Sequence, residues 1–313
     1  MPPDLLELTH AITLTPDKAL GIPIALVGAV LLSLGAQFQH RGVGKVGAAT
    51  ATKDSTALSL GQLLLLLRRP SWVVGTLFLG LAILFQLTSL YLAPLIVVQP
   101  LGAVALVITA VVNARVSKMP LTWAAIRAIA FCVVGVALFV TIAAFTATSS
   151  PISESQLVII LVILGVVTVA FAIFFAYLRN RFKAIIYIVG AGVLYGFVAT
   201  LAKVVIDRIK TLVLYGSDTG GFEWLTVICV VALLAATALG GYFVQSAYSS
   251  GPPDLVIAGL TVIDPIVAVC IGVVVLQEAA GASPWAILAF LVSGVVAVYG
   301  VFQLAKHHPQ SRG

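Results

Sequence analysis

The sequence predicts an all-α polytopic transmembrane helical bundle of about nine spans, on three observations. Of its residues 61% are hydrophobic and 9% charged, with a mean hydropathy of +1.17, whereas soluble proteins carry roughly 25% charged residues. The apolar residues fall in blocks about 20 long, roughly what a helix needs to cross a ~30 Å hydrocarbon core. The basic residues sit in the short stretches between blocks, where topology signals belong. No water-soluble fold of 313 residues could bury so much apolar side chain.

The first block, 20–40, follows a segment bearing Asp4, Glu7 and Asp17. That is the wrong charge for a signal peptide, so the block is expected to stay as a span. The others run 72–92, 94–115, 122–146, 157–178, 184–206, 224–246, 254–276 and 285–305. Breakers lie near their ends: Pro94, Met119-Pro120, Ser150-Pro151, Gly251-Pro252-Pro253 and Ser283-Pro284. The stretch from Ala57 to Leu67 is apolar but too short to cross, and is expected to lie in the interface or dip part-way.

Nine spans place 13 of the 17 Lys and Arg residues on one side and 4 on the other: Lys18, Lys203, Arg208 and Lys210. The positive-inside rule then predicts a cell-membrane protein with its N-terminus outside and its C-terminus in the cytoplasm. The net charge of +6 is therefore a topology signal and no sign of nucleic-acid binding. Cys132, Cys229 and Cys270 lie inside apolar blocks without motif spacing and read as packing residues. The partners implied are the bilayer and a small-molecule or ion substrate, with a homodimer admissible.

Two parts of the chain look alike. Gly28 lies 13 residues before Arg41, as Gly190 does before Lys203. Pro100 lies 13 before Asn113, as Pro265 does before Glu278. Trp72 and Trp224 open the intervening blocks, and Gly135 and Gly294 mark the closing ones. The chain thus reads as one transmembrane domain of two units, about 20–146 and 184–305, joined by a connector helix at 157–178. An offset of five spans gives the units opposite orientations. Inverted repeats of this kind are typical of secondary transporters, with substrate sites near the midplane where the units meet.

The candidate site residues follow from that expectation. Asp264 is a carboxylate deep in the eighth block, where a charge costs on the order of 3 kcal/mol and normally serves a cavity. It is expected to bind a coupling proton or a substrate cation. Pro265 beside it is expected to loosen the helix and free carbonyls, with Gln99-Pro100 as its counterpart in the first unit. Gln86, Gln245, Gln37, Tyr195 and Tyr248 are further polar candidates, although buried amides more often join helices. Lys203 is the counterpart of Arg41, or else a lysine reaching to the outer interface with Asp207 at i+4. Gly192 with Gly196, and Ala236 with Gly240, read as packing contacts.

The stretch Ala93-Pro94-Leu95-Ile96-Val97-Val98-Gln99-Pro100-Leu101-Gly102-Ala103 resembles a signature of the NIPA-type magnesium transporters, a branch of the drug/metabolite transporter superfamily. The sixth block, with Tyr187, Gly196 and Lys203, and the eighth, with Pro265 and Glu278, are similar to the corresponding family helices. The sequence departs from the family where a small hydroxylated residue precedes the second proline; Gln99 and Asp264 stand there. The resemblance implies a small-solute transporter, with a divalent cation (Mg²⁺) transporter or cation channel as the alternative. His10, His40, His307 and His308 sit at ends or loops, and no catalytic motif follows a suitable element, so neither an enzyme nor a cofactor is expected.

Overall fold

The computed structural model describes residues 15–50, 68–116, 120–178, 183–215, 223–250 and 253–306. The stretch from Ala57 to Leu67 lies outside them, as do His10, His307, His308 and the side chain of Arg41. The described helices are α1 (Pro16–Thr50), α2 (Pro70–Leu92), α3a (Leu95–Val98), α3b (Ala103–Val116), α4 (Trp123–Thr146), α5 (Glu154–Leu178), α6 (Lys183–Tyr215), α7 (Glu223–Ser250), α8 (Pro253–Val274) and α9 (Pro284–Lys306). A 3₁₀ turn, Gln99–Gly102, joins α3a to α3b, and the three together make one span. Among the described residues nine helices are long and apolar enough to cross a membrane. Each coincides within a few residues with a block read from the sequence.

The outer surface matches a bilayer. Val295, Leu234 and Val166 are more than half exposed, forming an apolar exterior suited to a lipid environment. Trp123 and Tyr177 ring one end of the bundle and Trp224 and Trp285 the other, all exposed. Aromatic side chains at both ends are the arrangement expected at membrane interfaces. Because successive spans run antiparallel, the start of α1, the end of α8 and the start of α9 share an N-terminal face. The end of α1, the end of α7 and the end of α9 share the opposite, C-terminal face.

Close approaches fix the helix pairs. At the crossing of α4 and α9, a Cβ on Gly135 would lie 2.4 Å from the Ala297 nitrogen, and one on Gly300 would lie 2.3 Å from the Cys132 nitrogen. The crossing is reciprocal, and its second glycine is Gly300; Gly294, the counterpart expected from sequence, has only Phe139 in contact at 3.9 Å. A Cβ on Gly192 would meet Ile263 at 2.7 Å, and one on Gly196 would meet Val267 at 2.6 Å. Those glycines let α6 lie against α8, the packing role expected of them. Gly240 of α7 faces the Tyr195 ring.

Two helix ends differ from the sequence reading. α1 continues past Arg41 to Thr50, and α6 continues past Lys203 to Tyr215, because Lys203 finds partners inside the bundle and need not terminate its helix. Pro265 sits within the unbroken α8. Its missing N–H is tolerated where neighbouring helices support the turn, so the expected loosening occurs only at Gln99-Pro100, where the 3₁₀ turn forms.

Candidate functional site

At the C-terminal face a cavity of about 510 Å³ lies among α1, α3b, α7, α8 and α9. Ser33, Gln37, Thr109, Asn113, Tyr248 and Thr261 supply its polar wall. The Ser33 and Thr109 hydroxyls hydrogen-bond at 2.8 Å, and the Gln37 amide donates to the Asn113 carbonyl oxygen. These bonds tie α1 to α3b while using only part of each amide's capacity. A primary amide offers two donors and one acceptor, so the pair retains groups for a solute. No charged side chain lines the cavity among the described residues.

The N-terminal face is sealed by a different set. Glu278, in the turn between α8 and α9, is 3% exposed. Its two carboxylate oxygens accept the backbone N–H groups of Leu95 and Ile96, each at 2.8 Å. The first amides of a helix have no intrahelical acceptor, and a carboxylate satisfies them with favourable charge. Gly272 makes room, since a Cβ there would lie 2.9 Å from one carboxylate oxygen. Gln277 takes φ 55°, in the left-handed region, and turns the chain back so that the Glu278 N–H reaches the Gly272 carbonyl at 2.9 Å. Burial pushes the Glu278 carboxyl above its ordinary range, opposed by the two N–H groups and by Lys203.

Further contacts close this face. The Glu278 carbonyl accepts from the Thr148 N–H at 2.7 Å, and the Gln156 amide donates to the Val275 carbonyl at 2.8 Å. Lys18 at the start of α1 donates to the carbonyls of Ala147 and Ala144 at the end of α4, where the helix dipole favours a cation. Lys203 is 3% exposed, donates to the Leu90 carbonyl at 2.7 Å and pairs with Asp207 at 3.2 Å. It is therefore a buried cross-brace from α6 to α2, and does not reach to the interface; the i+4 pairing with Asp207 is present. Lys203, Asp207, Glu278 and Ser150 surround a void of about 10 Å³, enough for roughly one water.

The sequence-predicted residues thus separate. Gln37 and Tyr248 line the cavity, and Lys203 belongs to the seal. Gln99 is buried in the 3₁₀ turn and Gln86 half-buried on α2, while Gln245 is exposed on α7. Neither Gln86, Gln99 nor Gln245 lines the polar cavity. Pro100 and Pro265 come together, both lining an apolar groove of about 620 Å³ along α8 and α9. Asp264 packs its backbone against Gly192 and Gly196 of α6 and lines neither space. Ser33, Thr109 and Thr261 carried no signal in the sequence, Asn113 stood there only as a repeat marker, and Glu278 stood there as a repeat marker and in the family resemblance. The spacing Pro100–Asn113 and Pro265–Glu278 was the signal that singled the last two out.

No family model matches the chain, and no solved structure matches it. It is 26% identical over 297 residues to an uncharacterized protein of Corynebacterium glutamicum, covering 93% of this chain and 96% of that relative. The likeness therefore extends over most of the chain.

Proposed function

We propose that the chain is a secondary transporter that moves a small polar solute by alternating access. The observation that carries this reading is the asymmetry of the two faces: a polar cavity toward one and a buried, hydrogen-bonded seal at the other. A carrier caught open to one side has that form, whereas a conducting channel needs a path through both faces. The helix pairing supports an inverted repeat, since α1 packs on α2 and α3b as α6 packs on α7 and α8. Gly135 and Gly300 are 165 residues apart, the same offset as Pro100 and Pro265. The charge distribution would make the cavity face cytoplasmic.

Hydroxyls and amides without a carboxylate suit a solute read by hydrogen bonds better than Mg²⁺, which is held through carboxylates and waters. Membership of the drug/metabolite transporter superfamily, and the magnesium branch within it, goes with this reading as a proposal resting on residues 93–103. The test is counterflow in proteoliposomes, with preloaded polar metabolites in one arm and Mg²⁺ in the other. The expected result is saturable exchange of an organic solute that unlabelled solute accelerates from the far side. Gln37→Ala and Asn113→Ala should each slow it about 5- to 30-fold, the loss of one or two kcal/mol of hydrogen bonding. Mg²⁺ flux alone, unsaturable and insensitive to both substitutions, would reject the assignment.

A further inference from the structure

Asp264 has no part in the cavity or the seal, yet it lies in the middle of α8 with its Oδ1 buried and without a hydrogen-bond partner among the described residues. The surrounding backbone is drawn tight. A Cβ on Gly196 would lie 3.0 Å from the Asp264 carbonyl oxygen and one on Gly192 would lie 3.5 Å from its nitrogen. On α6 the titratable group that interacts with it electrostatically is Tyr195, whose ring is seated on Gly240 of α7. Among the described residues, the other elements packed on α8 bring no countercharge near it. α3a and the 3₁₀ turn carry no ionisable residue, and the ionisable residues of α3b and α9 are Arg115, Tyr299 and Lys306. On α7 they are Glu223, Cys229, Tyr242 and Tyr248. Lys203, Asp207 and Glu278 are engaged at the sealed face.

A buried carboxylate with an unmet acceptor is stable only when a cation joins it. Asp264 is also placed on the helix that contributes both Thr261 to the cavity and, through the turn after it, Glu278 to the seal. Binding there would act on a helix that touches both ends. We infer that Asp264 is the site of a monovalent coupling cation, a proton or sodium, separate from the solute cavity. The role rests on the transporter reading; occupancy of the site does not.

Occupancy is therefore measured on purified protein in lipid nanodiscs with no solute, using protons and sodium as the probes. Infrared difference spectra are recorded across a pH titration, with and without NaCl. A protonated-carboxyl band that titrates in the wild type and vanishes in Asp264→Asn identifies a proton site. The same band suppressed by sodium in the wild type identifies a sodium site. Asp264→Glu should restore the band with a displaced midpoint, which separates chemistry from mere folding. A wild-type spectrum with neither a pH-dependent nor a sodium-dependent band attributable to Asp264 overturns the inference. In proteoliposomes Asp264→Asn should keep solute exchange but lose gradient-driven accumulation. Absence of exchange in the wild type would instead count against the transporter reading and leave the titration result standing.

Discussion

Gly300→Ala is expected to destabilise the bundle by about 3 kcal/mol or more, because the added methyl meets backbone that cannot swing aside. Its Cβ would lie 2.3 Å from the Cys132 nitrogen, 2.7 Å from its Cα and 2.9 Å from the Ala128 oxygen. Overpacking against adjustable side chains costs roughly 1–3 kcal/mol. Here the only relief is to part α4 from α9, which also loosens Gly135 from Ala297 and the Phe139–Phe290 ring contact at 5.0 Å. Between lipid-exposed helices, packing supplies most of the association energy, since lipid tails are as apolar as the side chains. Gly165→Ala is the control: nothing lies within 4 Å of its Cβ, and alanine improves helix propensity by about 1 kcal/mol. Thermal unfolding followed by size-exclusion fluorescence should show a midpoint lower by on the order of 5 °C for Gly300→Ala, and none for Gly165→Ala. Equal midpoints for the two would mean that the reciprocal crossing does not hold the bundle.

The fold was legible because bilayer thickness sets a length that hydrophobic blocks must meet, and this dictates nine spans without any knowledge of contacts. The site was less legible, for reasons that differ by residue. Gln37 stood out as an amide in an apolar helix, whereas Ser33 and Thr109 did not. Hydroxyls are common in spans because they can bond the carbonyl four residues back, as Thr109 does to Ala105 at 2.8 Å. Lys203 was visible as a charge, but its burial depends on the Leu90 carbonyl, 113 residues away. Glu278 was the hardest to read: its partners are the backbone amides of Leu95 and Ile96, which any residue type would supply. Pattern in side chains carries no trace of a bond made to a main chain.

That same bond makes Glu278→Ala the sharpest test of the sealed face. Removing the carboxylate leaves the N–H groups of Leu95 and Ile96 buried without acceptors. Each unmet donor costs about 1–3 kcal/mol, so roughly 3 kcal/mol for the pair is a restrained figure, equivalent to about a 100-fold shift in an opening equilibrium. The backbone bond from Thr148 to the Glu278 carbonyl remains, which favours loosening of the seal over collapse of the helices. The readout is a cysteine placed at Leu276, which is 6% exposed beside Glu278, in a background with Cys132, Cys229 and Cys270 replaced. In nanodiscs, maleimide labelling of that cysteine should speed up about 100-fold in Glu278→Ala. Glu278→Gln should fall between, because its amide oxygen can accept from one N–H while its NH₂ opposes the other. An unchanged rate in a monodisperse Glu278→Ala protein would show that the turn between α8 and α9 does not gate this face. A raised rate together with faster solute release to the N-terminal side would tie the carboxylate to the transport cycle, since the contact that closes the bundle would then be the contact whose loss opens it.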